Sequence, residues 1–64
     1  MMNKTCDICH SQVGQEYVDG KTIYGPWANM CTGCFNTVGI GLGTALGQMY
    51  RWSDQEQKYK KIKG

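Results

Sequence analysis

The chain has 64 residues, a formal charge of +2 and four cysteines, and 41% of it is hydrophobic. That length supports one domain at most, with a core so small that a covalent or metal staple is expected. No stretch approaches the ~20 apolar residues of a membrane span, and the modest net charge leaves only a local cluster as an electrostatic footprint.

Residues 1–5 carry one charge and no apolar run, which predicts no export signal and a cytoplasmic protein. In a reducing cytoplasm, cysteines are expected as metal ligands before disulfides. Their spacing is the most informative feature of the sequence. Cys6-Asp-Ile-Cys9 and Cys31-Thr-Gly-Cys34 are two C-x2-C pairs separated by 21 residues. Each pair makes a tight turn that aims two sulfurs at one point, and together they can wrap one tetrahedral ion, most often zinc. A site closed by four thiolates is structural, so one Zn2+ ion is expected as part of the folding free energy.

Between the pairs, Gln12 to Val18 reads as a strand and Lys21 to Tyr24 as its return. Asp19-Gly20 is the expected two-residue turn, which would pair Val18 with Lys21, Tyr17 with Thr22 and Glu16 with Ile23. Gly25-Pro26 ends the return strand. Trp27 and Tyr17 are large enough to form much of the core. A short helix is expected from Thr32 to Val38, with Gly39 as its left-handed stop. Residues 41–48 read as a loop or irregular strand, and Met49-Tyr50-Arg51-Trp52 as a last short strand. Ser53-Asp-Gln-Glu56 matches a capping box, which predicts helix from Asp54 to Ile62.

Three other motifs point less far. Two C-x2-C pairs also bind iron in rubredoxins, but His10 and Phe35 stand where Gly usually follows the second cysteine of each pair. Cys6 to His10 matches the C-x-x-C-H haem attachment motif, which would need export and would leave the second pair idle. His10 reads as a solvent-facing or second-shell residue. Gly39, Gly41, Gly43 and Gly47 lack the strand–helix context and the lysine of nucleotide-binding loops. No nucleophile–base or paired-carboxylate constellation is visible, so neither an enzyme nor a small-molecule substrate is expected.

Residues 51–64 hold Arg51, Lys58, Lys60, Lys61 and Lys63 against Asp54 and Glu56. These cations are candidates for phosphate contact, with Tyr50, Trp52 or Tyr59 available for base stacking. They fit equally a helix end whose lysines complement the dipole. Leu42, Leu46, Met49, Tyr50 and Trp52 form a candidate surface for a protein partner, or for a homodimer that buries them by pairing.

Read together, Tyr17-Val-Asp-Gly-Lys-Thr22, Gly25-Pro-Trp27, Met30-Cys-x-x-Cys34 and Gly41-Leu-Gly-Thr44 with Gly47-Gln48 and Tyr50 resemble small zinc-ribbon or treble-clef-like proteins encoded by bacteriophages and prophages. The resemblance runs from about Cys6 to Tyr50. It implies metal-ligand roles for Cys6, Cys9, Cys31 and Cys34 and a viral accessory protein of the bacterial host cytoplasm, and no specific activity. The expected architecture is therefore a small metal-stapled α+β unit: two Cys knuckles, a β-hairpin and a short helix over residues 1–52, and a basic helical tail over 53–64. The expected function is non-catalytic recognition of nucleic acid or transcription machinery, with an adaptor or inhibitor of a host enzyme or defence factor as the alternative. A rubredoxin-like electron carrier is the third.

Overall fold

The computed structural model describes residues 4–64; Met1, Met2 and Asn3, on which the reading of the N-terminus partly rests, lie outside them. Four strands and one helix follow in the order β1 (Glu16–Lys21), β2 (Trp27–Cys31), α1 (Thr32–Val38), β3 (Gly47–Ser53) and β4 (Lys58–Lys63). The strands make one antiparallel sheet in the order β2-β1-β3-β4.

Both faces of the sheet are covered, which explains why consecutive residues of β1 are buried. Tyr17 lies on the face under the N-terminal knuckle, in a cluster with Cys6 and Val13. Val18 lies on the opposite face under α1, with Met30 and Val38. Alternate side chains of a strand point to opposite faces, so each face of β1 serves a separate small core.

The turn between β1 and β2 is not at Asp19-Gly20. Both residues are inside β1, where Asp19 pairs with Asn29 and Gly20 with Ala28. Gly20 is there for a close approach instead. A Cβ on it would lie 2.9 Å from the Leu46 carbonyl oxygen and 3.0 Å from Gly47 Cα. Glycine in a strand interior is a mark of such backbone crowding. Gly20→Ala is expected to cost about 1–3 kcal/mol, because backbone must move to admit the methyl group. Its melting temperature should fall by several degrees or more, which calorimetry of the metal-loaded protein would read.

The turn that forms instead is built on Thr22. This buried side chain donates to Pro26 O at 2.9 Å and accepts from Tyr24 N at 3.3 Å. The Thr22 N–H also reaches Pro26 O, and Gly25 closes the turn with φ 104°. Trp27 then opens β2 at 47% exposure, so it is not the core residue expected; Met30, fully buried, takes that place.

Helix α1 has the expected bounds, but its stop differs. Gly39 has φ −75°, in extended backbone, not the left-handed region. What position 39 requires is the missing side chain: a Cβ would sit 2.7 Å from the Phe35 carbonyl oxygen and closer still to its ring.

The C-terminal segment is a strand, not a helix. Ser53 Oγ does accept the Glu56 N–H at 3.3 Å, so the capping signal marks a real turn. Gln57 then takes a left-handed φ of 55°, and the chain returns alongside β3. The ladder pairs Met49 with Lys63 and Tyr50 with Lys61, leaving Ile62 as a bulge. Tertiary contacts override the local helix preference. As a strand, Tyr59 packs edge-on against Tyr17 at 4.8 Å and Trp52 at 5.2 Å between ring centroids, and such aromatic pairs stabilise by about 0.5–1.5 kcal/mol beyond burial.

Candidate metal centre

The first knuckle is a small hairpin. Thr5 bridges to Gln12, the Cys6 N–H donates to Ser11 O, and His10 N–H donates to Cys6 O. His10 closes this turn with φ 66°, the left-handed region that glycine favours. It is exposed, in keeping with a solvent-facing histidine. The second knuckle joins two elements. Cys31 ends β2 and is also the N-cap of α1, and Cys34 lies in the first helical turn.

Backbone N–H groups converge on the sulfurs. Ile8 N and Cys9 N approach Cys6 Sγ at 3.4 and 3.5 Å, and Cys34 N approaches Cys31 Sγ at 3.5 Å. Both C-x2-C turns thus hold their first sulfur in the same way. The four Sγ atoms lie within 4.8 Å of one another, with Cys9 and Cys31 only 3.8 Å apart. Four Zn–S bonds of ~2.3 Å at tetrahedral angles would place sulfurs about 3.8 Å apart. A disulfide requires about 2.05 Å, and all four thiols are free. The arrangement can hold one metal ion.

Electrostatics favour a cation there. Burial pushes the Cys6 thiol up, but hydrogen bonds from the backbone of Cys9, Cys31 and Ile8 outweigh it and bring the pKa down to about 6. Cys34 is pushed up to about 12, first by its hydrogen bond with Cys31, then by burial and the other sulfurs. Four sulfurs this close cannot all become thiolates against their own repulsion. A divalent ion removes that repulsion and lets all four bind deprotonated.

One contact that orients the site was not evident from the sequence. Asp7 N donates to Asn29 O at 2.8 Å, and Asn29 N donates back to Asp7 Oδ2 at 2.9 Å. This clasp ties the first knuckle to β2 just before Cys31. It also covers the outer edge of β2, which would otherwise expose unpaired backbone. Asp7 lies between two ligands, but nothing in the sequence pairs it with a residue so far along the chain.

No family model, curated protein or solved structure matches the chain. The centre therefore stands on its own geometry.

The other candidate residues are dispersed. Arg51 is paired with Glu16 across β1 and β3. Lys58 and Lys60 both flank Glu56, and Lys61 and Lys63 lie further along β4. The five cations thus share the β3–β4 hairpin, but three of them have acidic partners. Leu42, Leu46, Met49, Tyr50 and Trp52 do not form one surface. Leu42 and Met49 pack into the core beneath α1, whereas Tyr50 packs against the Tyr17 cluster on the other face. Trp52 is half-buried beside Tyr59, and Leu46 alone is exposed. Among the described residues, the exposed large apolar side chains are Ile23, Tyr24, Trp27, Ile40 and Leu46, with Ile62 on β4. Ile23 and Tyr24 lie in the turn after β1, and Trp27, Ile40 and Leu46 meet at Lys21. Its N–H reaches Leu46 O, Ile40 N reaches its carbonyl, and Trp27 is its strand partner. No helix of the described residues is long and apolar enough to cross a membrane.

Proposed function

We propose that this protein is a zinc-stapled recognition module that binds nucleic acid through its β3–β4 hairpin and performs no catalysis. Soft thiolate donors in a four-sulfur set suit zinc best, with iron as the competitor. A colourless purified protein with one zinc per chain would support the assignment, and a red one would overturn it. A second pair that spans a strand end and a helix start supports a treble-clef-like arrangement, in line with the resemblance to phage-encoded zinc proteins.

The observation that carries the nucleic-acid reading is the composition of β4. It is one of the two outer strands of the sheet, and it presents Lys58, Lys60, Lys61 and Lys63 with Tyr59 among them. Glu56 takes up Lys58 and Lys60, whereas no carboxylate of the described residues pairs with Lys61 or Lys63. Those two reach phosphate without leaving an acidic partner. Single-stranded DNA should bind at low salt, with affinity falling as salt rises. Replacing both lysines by alanine should make the log–log salt dependence shallower by about 0.7 per lysine. An unchanged slope and affinity would rule out contact through this strand.

A second reading is favoured by the exposed apolar residues at the turn between β1 and β2. Ile23 at 63%, Tyr24 at 69% and Trp27 at 47% exposure suit a protein partner, such as a bacterial host enzyme, better than phosphate. A partner retained from nuclease-treated bacterial lysate, and lost on Trp27→Ala, would shift the assignment to this surface.

A further inference from the structure

A cleft of about 670 Å³ opens between the N-terminal segment and the β3–β4 turn, lined among others by Lys4, Asn29, Trp52, Lys58 and Tyr59. None of these residues belongs to the metal centre. The size falls within the range of ligand sites, about 300–1,000 Å³. The lining combines two cations, an indole and the side-chain amides of Asn29 and Gln57, which is a donor set for an unpaired nucleotide. We propose that this cleft receives one nucleotide unit of a single strand, with its base on Trp52 and its phosphate held by Lys4 and Lys58. The proposal rests on the nucleic-acid reading above and deepens it.

Of the four rings on this side of the sheet, only Trp52 is suited to take a base. Tyr17 is buried, and Tyr50 is stacked on it at 5.1 Å with planes 13° apart. Tyr59 is packed edge-on against Tyr17, and its hydroxyl is tied to Gly14 O. Trp52 is half-buried, lines the cleft, and meets Tyr59 edge-to-face at 77°, so no ring is stacked parallel on it. Its indole N–H donates to Asp54 Oδ1 at 3.0 Å, which holds the ring in place. A ring already ordered loses little entropy when a ligand stacks on it.

The cations flank this ring from two parts of the chain. Lys4 Nζ lies 5.0 Å from the centroid of Tyr17, held on the same aromatic face. Lys58 adjoins Tyr59 on β4 and is 3.6 Å from Glu56 Oε1. That exposed pair is worth little in water, and Glu56 has Lys60 as its nearer partner, so Lys58 can turn to a phosphate. The Asn29 backbone N–H is committed to Asp7, while its side-chain amide offers a donor and an acceptor to a base edge. A duplex hides the faces of its bases, so the cleft selects single strands.

The test uses the full zinc-loaded chain carrying Trp27→Phe, which leaves Trp52 as the one indole reporter. It is titrated at low salt with an oligothymidine of about eight nucleotides, with the matching duplex and with thymidine monophosphate. Quenched Trp52 fluorescence and a displaced Trp52 Nε1–H resonance are expected with the single strand. Trp52→Leu should weaken binding about tenfold or more, Lys4→Ala should weaken it and flatten the salt dependence, and the duplex should bind more weakly. The resonance shift reads the same contact without altering the fold. Thymidine monophosphate that displaces the resonance at comparable affinity supports the cleft with a free nucleotide as its ligand; a much tighter oligonucleotide supports the strand. Oligonucleotide binding that leaves the Trp52 signals unmoved, or that survives Trp52→Leu undiminished, overturns the cleft and leaves the lysine strand as the contact. Absence of any oligonucleotide binding at low salt overturns both.

Discussion

Stripping the metal with a chelator is expected to unfold this chain, and adding back one equivalent of zinc to refold it. Apart from Cys6, the buried apolar residues among those described are Val13, Tyr17, Val18, Met30 and Val38, divided between two faces of the sheet. Neither cluster is a core of the size that sustains a domain alone. Both meet at the centre, since Cys34 and Ile8 pack against each of them. The knuckle over one face and the helix over the other are thus joined through the ligands. Structural zinc binds zinc-finger peptides with an apparent 10–16 kcal/mol, roughly, while a whole domain is stable by only about 5–15 kcal/mol. Loss of an ion of that kind exceeds what the two clusters can offset. Loss of dispersion in the amide NMR spectrum, together with one zinc per chain by native mass spectrometry, is the expected pair of observations. A dispersed spectrum from the metal-free protein would refute it.

The ligands should differ in their response to serine. Cys6 is fully buried, so Cys6→Ser both removes a ligand and leaves a hydroxyl without water. Cys9 is exposed, so Cys9→Ser can keep three thiolates and take water as the fourth ligand. The first should abolish folding, and the second should weaken metal affinity while the fold persists at high zinc.

What the sequence reveals follows from how local each signal is. The two C-x2-C pairs are local turns with fixed geometry, and their meeting is required by the chemistry of the ion, so both were legible. Helix α1 was legible to its ends because Cys31 caps one end and Gly39 is needed at the other, although Gly39 serves through the space it leaves for Phe35 and not through its φ. Asp19-Gly20 misled because two demands produce the same residue. Glycine permits a tight turn, and it equally permits another backbone to cross, here that of Leu46 and Gly47. Only the position of the distant β3 decides between them. Thr22, which organises the actual turn, looks like any surface threonine until Pro26 O is opposite it. The capping box at Ser53 predicts a helix start, and its Ser53–Glu56 hydrogen bond forms, but it closes a turn into β4 instead. The alternation Lys58-Tyr59-Lys60 carried the opposing signal, a period of two with the aromatic residue inward. Tyr59 needs Tyr17 and Trp52 as neighbours, and that need lies outside its own segment.

The contrast between Met30 and Trp27 puts this distinction to a measurement. By residue type, Trp27 is the natural core residue and Met30 a flexible filler. The fold reverses them. Trp27 stands at the first position of β2, opposite Lys21, and is 47% exposed. Met30 is opposite Val18 in the same ladder, and both are 0% exposed beneath the helix. Met30→Ala removes the largest fully buried side chain and leaves a cavity between sheet and helix, which costs about 2–5 kcal/mol. In a domain of this size each kcal/mol lowers the melting temperature by about 4–8 °C, so the variant should fail to fold cooperatively at 37 °C. Trp27→Ala removes side-chain surface that is half in water and should cost about 1 kcal/mol or less. Denaturant unfolding of the two zinc-loaded variants measures the difference directly. Equal losses would mean that Trp27 is buried in solution, by a partner copy or by a different turn; a larger loss at Trp27 would restore the hairpin at Asp19-Gly20 and displace the register of β1 and β2 described above.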